Sequence, residues 1–448
     1  MIDILSLLLC FEQAVDKTTV KQLSRIALAL LTMTGRVTML GISRWTEKGG
    51  SYRTVQRFFK QVVPWARVHW LFVYHQLLRA GGEYIIAGDE TVVTKAGKQT
   101  YGLDRFFSSI YGRPVPGLAI FALSLVNVDE RQSYPLMVEQ RVRSAEEKQA
   151  AKTKRKAKKA TKPKGKPGRP KGCKQKDKTV VEWTPELLFI QSMLLRLVAQ
   201  LAKLPVKYVV MDGHFGNNNA LQMVRQATPW HLISKLRHDA ALYFLYDGEQ
   251  KPVGRHRWYG DKVNYRALPE KYLVKTAKEA QILTQTYQAI MLHKSFAQTL
   301  NVVIVVKRNL VTNACAHVVL FSSDLALTHD KLVDYYVLRF QLEFNFRDAK
   351  QFWGLEDFMN IKQVPVTNAV NLAFFMCNLS QVLLRQLRKE LPDCGILDLK
   401  ALFRGRRYAV ETLNLLPQKP HPFISNQIVH AVATLGSIHR HSRQLSIP

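Results

Sequence analysis

The sequence contains few cysteines and no long uninterrupted apolar run. Its five cysteines lie far apart without a C-x-x-C pair, which excludes a disulfide framework and a cysteine-rich zinc site: Cys10, Cys173, Cys315, Cys377 and Cys394. The longest apolar stretch, 372–384, is interrupted by polar residues and is shorter than the roughly 20 apolar residues that a bilayer span needs. Asp3 lies where a secretory signal peptide is positively charged. We therefore expect a cytoplasmic protein without membrane association.

Acidic residues are also scarce. The chain has 34 Asp and Glu against 65 Lys and Arg, which gives a formal net charge of +31 at pH 7. Such an excess repels itself unless a polyanion neutralises it, so nucleic acid is the leading candidate partner, ahead of an enzyme that is merely basic. Hydrophobic residues make up 47% of the chain, which excludes a wholly disordered protein. The length of 448 residues suits about two to four domains.

The first eighty residues alternate apolar and polar at helical spacing, and one of their helices has a basic face. Gly49 and Gly50 indicate a turn, and Ser51 is a good N-cap for a helix that ends near Lys60. Polar and basic side chains at the start of a short helix are typical of major-groove recognition, and the candidates for DNA contact are Ser51, Tyr52, Arg53, Gln56, Arg57 and Lys60. The alternative is an ordinary amphipathic helix with a solvated basic face.

A basic run at 148–178 holds fifteen Lys or Arg, one acid, and no Ile, Leu, Val, Met or aromatic residue. Such a segment cannot bury a core, so we expect it to be disordered alone and to neutralise the DNA backbone. The Pro-Gly-Arg-Pro-Lys-Gly sequence with Arg169 and Lys171 resembles the AT-hook, which enters a narrow minor groove, although its flanks depart from the fuller pattern. A·T-selective binding and a merely solubilising segment stay open as alternatives.

Two short apolar runs that end in an acid predict buried strands. Residues 84–88 lead to Asp89, and residues 206–211 lead to Asp212. If these strands are neighbours, repulsion between the two desolvated acids raises the pKa of one of them, unless a divalent cation lies between Asp89 and Asp212. Further strands are expected at 118–128, 134–142, 230–236, 282–292, 302–306 and 317–321, and helices at 184–202, 328–350 and 366–390.

The predicted helix 328–350 carries an aligned polar stripe. Its members, at offsets of three, four and seven residues, fall within roughly 60° of one another in a continuous helix: Tyr336, Arg339, Glu343 and Lys350. A salt-bridge ladder on a solvated face is one explanation, and a functional site is the other.

The spacing of this stripe resembles the YREK signature of bacterial insertion-sequence transposases of the DDE superfamily. Asp89-Glu90-Thr91 and the Asp-Gly turn at Asp212 are similar to the two upstream parts of the family pattern, in the same order. The resemblance implies an α/β fold, with a ribonuclease-H-like catalytic core, a β-rich insertion, and helical N- and C-terminal regions. The implied regions are a helical DNA-end-binding region (1–80), the first part of the core with the basic insert (81–213), a β-rich insertion domain (214–327), the final core helices with the third acid (328–390), and a helical, basic C-terminal region (391–448).

The same resemblance implies a catalytic site. Asp89, Asp212 and Glu343 would be catalytic acids that hold two Mg²⁺ ions, with Mn²⁺ as a substitute. Carboxylates are the hard oxygen ligands that Mg²⁺ prefers, and two metal ions suit in-line displacement at a phosphodiester. By the same resemblance, Arg339 and Lys350 would grip transposon-end phosphates.

Tyr336 would help to orient the same site. The expected function is that of a cut-and-paste DNA transposase, which hydrolyses phosphodiester bonds and joins 3′-hydroxyl ends to target DNA. Its expected partners are double-stranded DNA, as terminal inverted repeats and target, and a second copy of the chain in a homodimer on paired ends, within the bacterial nucleoid. The alternatives are a catalytically inactive or domesticated sequence-specific DNA-binding protein and a structure-selective nuclease of the same fold.

Overall fold

A mixed sheet of twelve strands runs through the structure, a computed structural model that describes residues 3–46, 50–108, 111–150, 153 and 177–439. Most of the basic run 148–178, including Arg169 and Lys171, lies outside the described residues. The strands are β1 (Tyr84–Thr94), β2 (Asp104–Ser108), β3 (Arg113–Asn127), β4 (Gln132–Arg141), β5 (Tyr208–Met211), β6 (His231–Leu236), β7 (Leu242–Leu245), β8 (Tyr259–Lys262), β9 (Leu273–Glu279), β10 (Ile282–His293), β11 (Leu300–Asn309) and β12 (Cys315–Ser322). They follow the order β2-β3-β1-β5-β6-β12-β11-β10-β7-β8, with β4 paired to β3 and β9 paired to β10.

The strands expected from apolar runs are confirmed, and β2, β7, β8 and β9 were missed. These four are short or polar, as in the Tyr-Gly-Asp-Lys sequence of β8, so they carry no clear apolar period. The sheet with its flanking helices confirms the α/β class and is consistent with a ribonuclease-H-like nuclease fold. Because β6 lies parallel beside β5, the predicted insertion 214–327 continues the same sheet, and its domain boundary stays a prediction.

Five helices precede the sheet: α1 (Ile4–Leu8), α2 (Lys17–Thr32), α3 (Met39–Trp45), α4 (Tyr52–Lys60) and α5 (Trp65–Gln76). The predicted cap of α4 is confirmed, since the Ser51 side chain accepts a hydrogen bond from the Thr54 N–H at 3.4 Å. Val55 and Phe58 are buried, whereas Arg53 and Arg57 are exposed, as the amphipathic pattern predicted.

The helices that the structure describes after β4 include α6 (Pro185–Gln200), α7 (Asn218–Ala227), α8 (His329–Leu338), α9 (Gln341–Gln351), α10 (Gln363–Leu387), α11 (Ile396–Leu415) and α12 (Pro422–Ala433). Thr184 caps α6 by accepting a hydrogen bond from the Leu187 N–H at 3.2 Å, and Pro185 occupies the first turn. Helix α9 packs on β1 and β4, and α8 packs on β5, β6, β11 and β12, so the core lies between these helices and the sheet.

The predicted single helix 328–350 is wrong, because the structure has two helices, α8 and α9, on either side of Arg339 and Phe340. The N–H groups of Phe340, Leu342 and Glu343 each bond to the carbonyl three residues earlier, at 3.0 Å. Bonds of this kind tighten the turn to the 3₁₀ type, which a count of 100° per residue does not anticipate. Arg339 therefore lies at the junction, with Glu343 in the first turn of α9.

Helix α10 is the apolar centre of the helical part. It is long and apolar enough to cross a membrane by length and composition, but 89% of its most apolar window is buried against the rest of the protein. The predicted assignment of 372–384 to a core helix is confirmed.

A buried asparagine joins α10 to the N-terminal helices. The Asn368 side chain is 1% exposed, and its Oδ1 accepts a hydrogen bond from Trp65 Nε1 at 2.7 Å. Its Nδ2 donates to the carbonyl oxygens of Phe59 and Gln61, at 2.9 and 2.7 Å. One amide therefore satisfies three groups at the end of α4 and the start of α5, where the helices leave backbone carbonyls unpaired.

We predict that Asn368→Ala lowers the free energy of unfolding by about 2–4 kcal/mol, because it leaves buried polar groups without partners. Asn426→Ala, at an exposed position of α12, is the matched control and should change the same quantity by less than about 0.5 kcal/mol. Urea denaturation followed by circular dichroism measures both, and equal effects of the two substitutions would refute the role of Asn368.

Candidate active site

The topology of the sheet brings the first two predicted acids together. Strands β1 and β5 pair in parallel, with Gly88 opposite Met211, so Asp89 and Asp212 follow at the same level of neighbouring strands. Adjacent strands lie about 4.8 Å apart, which places the two carboxylates side by side. The two acid-bearing strands are thus neighbours, which meets the condition under which Asp89 and Asp212 repel each other.

The turn that carries Asp212 is fixed by its own hydrogen bonds. Asp212 Oδ1 accepts from the His214 N–H at 3.1 Å and so caps the single 3₁₀ turn Gly213–Phe215. Ser234 Oγ donates to the Asp212 carbonyl oxygen at 2.7 Å, which ties the turn to β6. A side chain at Gly216 would overlap the Lys235 carbonyl oxygen, so a glycine is needed where the turn leaves the sheet.

Arg339 links the first acid to the third. Its Nη1 donates to Asp89 Oδ2, and its Nη2 lies 3.1 Å from Glu343 Oε1. The side chains of Arg339 and Asp89 are only 14% and 19% exposed, so this contact is largely screened from water. The structure thus brings Asp89, Asp212, Arg339 and Glu343 together near the carboxyl end of β5, although the predicted continuous helix is interrupted there.

The electrostatics of the site centre on Asp89. Burial raises the pKa of Asp89 to about 6, with Arg339 opposing that rise and the charges of Asp212 and Glu343 adding to it. Burial also raises the pKa of Tyr336, whose ring centroid lies 6.0 Å from the Arg339 guanidinium. A desolvated acid beside two other acids is a place where an additional cation is favourable.

Lys350 holds α9 to the strand of the first acid. Its Nζ donates to the Val92 carbonyl oxygen of β1 at 2.9 Å and lies 3.8 Å from Glu356 Oε1. Burial lowers the pKa of Lys350. In the structure Lys350 therefore contacts the protein's own backbone, and phosphate binding by Lys350 stays a prediction.

The DNA-contact candidates of α4 lie in another part of the molecule. Helix α4 packs chiefly on α2, α3 and α10. Its basic side chains are exposed, which is compatible either with DNA contact or with a solvated face: Arg53, Arg57 and Lys60. The structure does not bring these residues together with the acids.

One contact near the second acid could not be predicted from the sequence. His214 Nε2 lies 3.5 Å from Glu186 Oε2 at the start of α6, on the face of the sheet opposite Asp89. Glu90 also points to that face, because successive side chains of a strand alternate between its two faces, and burial raises its pKa. No local pattern pairs Glu186 with His214, because the two belong to separate elements that meet only in the folded chain.

The donor set of the site suits a divalent metal ion. Asp89, Asp212 and Glu343 offer hard carboxylate oxygens, and their mutual repulsion would be relieved by a bound cation. In the part of the chain that the structure describes, no group of three or more His, Cys, Asp or Glu side chains is close enough to hold a metal. Arg339 lies between two of the acids, so its side chain would have to rearrange for all three to share a metal.

Comparison with known proteins identifies the family. A family model described as a DDE superfamily endonuclease matches residues 10–299, which include Asp89 and Asp212 and end before Glu343. No curated protein matches the chain. The matched residues cover more than half of the chain, from the N-terminal helices to the residue before β11, and therefore show that this protein belongs to the DDE superfamily endonucleases.

Proposed function

We propose that the protein is a cut-and-paste DNA transposase of the YREK group, with Asp89, Asp212 and Glu343 as its catalytic acids. The observation that carries the proposal is that Arg339 contacts both Asp89 and Glu343, while Asp212 follows the strand next to that of Asp89. The family match covers the part of the chain that contains the first two acids. The third rests on its contact with Arg339 and on the spacing of the stripe with Tyr336 and Lys350.

Members of the superfamily usually use divalent metals, and Asp89, Asp212 and Glu343 would hold Mg²⁺, or Mn²⁺ in its place. When bound, the metal ions supply an activated attacking oxygen and stabilise the leaving one. The protein's own groups supply the rest. Asp212 is fixed by its turn, Asp89 by its strand, and Arg339 is a buried cation that can move from the acids to a phosphate of the DNA.

Water would attack first and release a 3′-hydroxyl, which would then attack a phosphodiester of target DNA in the same site. Each step exchanges one phosphodiester bond or hydrolyses it, so neither needs a nucleotide cofactor. The net charge of +31 supports binding to DNA. The proposed function also takes a homodimer in the bacterial cytoplasm to bind two DNA segments, the element's ends and the target.

Two other functions use the same residues. A structure-selective nuclease would cleave DNA without joining it and would show no preference for particular ends. A domesticated DNA-binding protein would bind ends without chemistry, but the presence of all three acids and their convergence favours a working catalyst over it.

We predict that Glu343→Gln reduces cleavage and strand transfer by about 10³-fold or more while DNA binding is retained, because an amide is a poor metal ligand of similar shape. The substrate is a duplex from the DNA that borders the coding sequence, with Mg²⁺, and products are separated on a denaturing gel.

Glu411→Gln is the matched control, since Glu411 also pairs with an arginine four residues earlier, Arg407, but on α11. Its activity should equal that of the wild type. Cleavage without joining in the wild type would indicate the nuclease, and binding without chemistry would indicate the DNA-binding protein. Cleavage that survives Glu343→Gln would show that another residue is the third acid.

We predict that Mn²⁺ affinity falls as the pH is lowered through about 6, because Asp89 then takes up a proton and loses its metal-binding form. Arg339 lowers the pKa of Asp89, so Arg339→Gln should move this midpoint to higher pH. Titration of free Mn²⁺ by electron paramagnetic resonance measures the midpoint. A midpoint that stays in place or moves to lower pH would contradict the assignment.

We predict that the double substitution Arg53→Ala and Arg57→Ala abolishes the preference for bordering DNA over an unrelated duplex, because each good base contact contributes about 1–3 kcal/mol of discrimination. Fluorescence anisotropy with both duplexes gives the ratio of affinities. Arg131→Ala, an exposed arginine at the β3–β4 turn, serves as the control. An unchanged ratio in the double variant would mean that α4 presents only a solvated basic face.

A further inference from the structure

A hairpin at the edge of the sheet exposes an arginine and two aromatic rings. It consists of β2 and the first five residues of β3, and we call it the edge hairpin (residues 104–117, of which 109–110 are outside the described part). Phe107 is 65% exposed and Tyr111 is 55% exposed, and Arg105 is exposed beside them. Phe107 lies on β2 and Tyr111 in the turn that follows it, and neighbouring exposed rings of this kind can mark an interaction site.

Arg105 and Phe107 lie on the same face of the sheet as Asp89. Directly opposed residues of antiparallel strands share a face, and faces alternate along each strand. Asp89 is opposite Ala122 of β3, and counting back in twos along β3 leads to Pro116 and Pro114. Those two prolines are opposite Arg105 and Phe107 of β2.

The backbone of the edge is not available for pairing with another strand at Arg105. The Arg105 N–H donates to Asp104 Oδ1 at 2.7 Å, and the Arg105 carbonyl oxygen accepts from Arg143 Nη1 at 3.2 Å. Pro114 and Pro116 provide no N–H groups to a ladder. Recognition by the edge hairpin must therefore use its side chains, and strand addition is disfavoured.

The charge around the edge hairpin suits a polyanion. Residues 95–117 contain four Lys or Arg and one acid, Asp104. That acid lies 3.7 Å from Arg143 Nη1 and 3.8 Å from Lys148 Nζ, so its charge is compensated. Lys148 is the first residue of the basic run 148–178, which therefore leaves the described structure beside the edge hairpin.

The root of the edge hairpin is joined to the segment that follows α9. Lys95 Nζ donates to the carbonyl oxygens of Glu356 and Phe358, at 2.9 and 3.0 Å. The Tyr101 N–H donates to the Ile361 carbonyl oxygen at 2.9 Å. These contacts fix the position of the hairpin relative to the helix that carries Glu343.

The distance between Asp89 and the edge hairpin determines which part of a DNA duplex the hairpin can contact. Thr94 of β1 is opposite Gly117, and at about 3.3 Å per residue Thr94 lies roughly 17 Å along the strand from Asp89. The far end of the hairpin lies roughly 13 Å further on. For a duplex whose axis runs along β1, 3.4 Å per base pair makes this distance about five to nine base pairs from a phosphate held at Asp89.

We propose that the edge hairpin binds the backbone of the same DNA duplex that enters the active site, five to nine base pairs or so from the scissile phosphate. Arg105 contacts a phosphate, and Phe107 packs against the neighbouring sugars. The contact is made to the backbone, so it does not depend on base sequence. This inference rests on the proposed function, because it takes the scissile phosphate to lie at Asp89.

The test measures affinity against salt concentration, with Ca²⁺ in place of Mg²⁺ to prevent cleavage. The probes are two 60-base-pair duplexes, one from the DNA bordering the coding sequence and one of unrelated sequence. Arg105→Gln should reduce the slope of log K against log[salt] by about 0.9 on both duplexes, the value of one phosphate contact. Phe107→Ala should weaken binding by about fivefold with the slope unchanged, since it removes an apolar contact.

Arg113→Gln is the matched control, because Arg113 is an exposed arginine of the same hairpin that faces the opposite side of the sheet. Its slope should equal that of the wild type. The inference would be overturned if Arg105→Gln kept the wild-type slope. It would also be overturned if Arg113→Gln reduced the slope as much as Arg105→Gln does. If either of these results is found while the wild type still cleaves the bordering duplex, only the inference about the edge hairpin is wrong. If the wild type neither binds nor cleaves, the proposed function fails with it.

Discussion

The buried carboxylate of Asp89 is the constraint on which the rest of the site depends. Asp89 lies on a strand in the middle of the sheet, where water has little access, so the negative charge of its carboxylate must be compensated by groups of the protein. Arg339 supplies the compensation, and the two further acids nearby raise the cost of keeping Asp89 ionised. The pKa of Asp89 is therefore shifted upward, as is typical of acids in cation-binding sites. An ion pair on the protein surface does not produce such a shift.

The surrounding structure serves to hold these charges in place. A hydrogen bond from Lys350 joins α9 to β1, and a hydrogen bond from Ser234 joins the Asp212 turn to β6. Hydrogen bonds of Asn368 join the N-terminal helices to α10. Each contact joins elements that are distant in the chain, so the acids keep their positions only when the whole α/β unit is folded. This dependence explains why the catalytic function and the fold are expected to fail together in destabilised variants.

Much of the fold and the first half of the site could be predicted from the sequence. The apolar runs before Asp89 and Asp212 identified two central strands because fully buried strands lack polar interruptions. The break at Arg339 could not be predicted, because a count of 100° per residue assumes a continuous α-helix, whereas the backbone there has three hydrogen bonds of the 3₁₀ type. The edge hairpin escaped prediction because β2 is short, and the pair of Glu186 and His214 left no trace in any local pattern.

The most direct test of the central claim is a crystal structure of the protein bound to cleaved DNA with Mn²⁺, with anomalous scattering used to locate the metal. The account predicts Mn²⁺ peaks in contact with Asp89, Asp212 and Glu343, with Arg339 moved from the acids to a DNA phosphate. Metal peaks elsewhere, or Arg339 still bridging Asp89 and Glu343 with DNA and metal present, would contradict it.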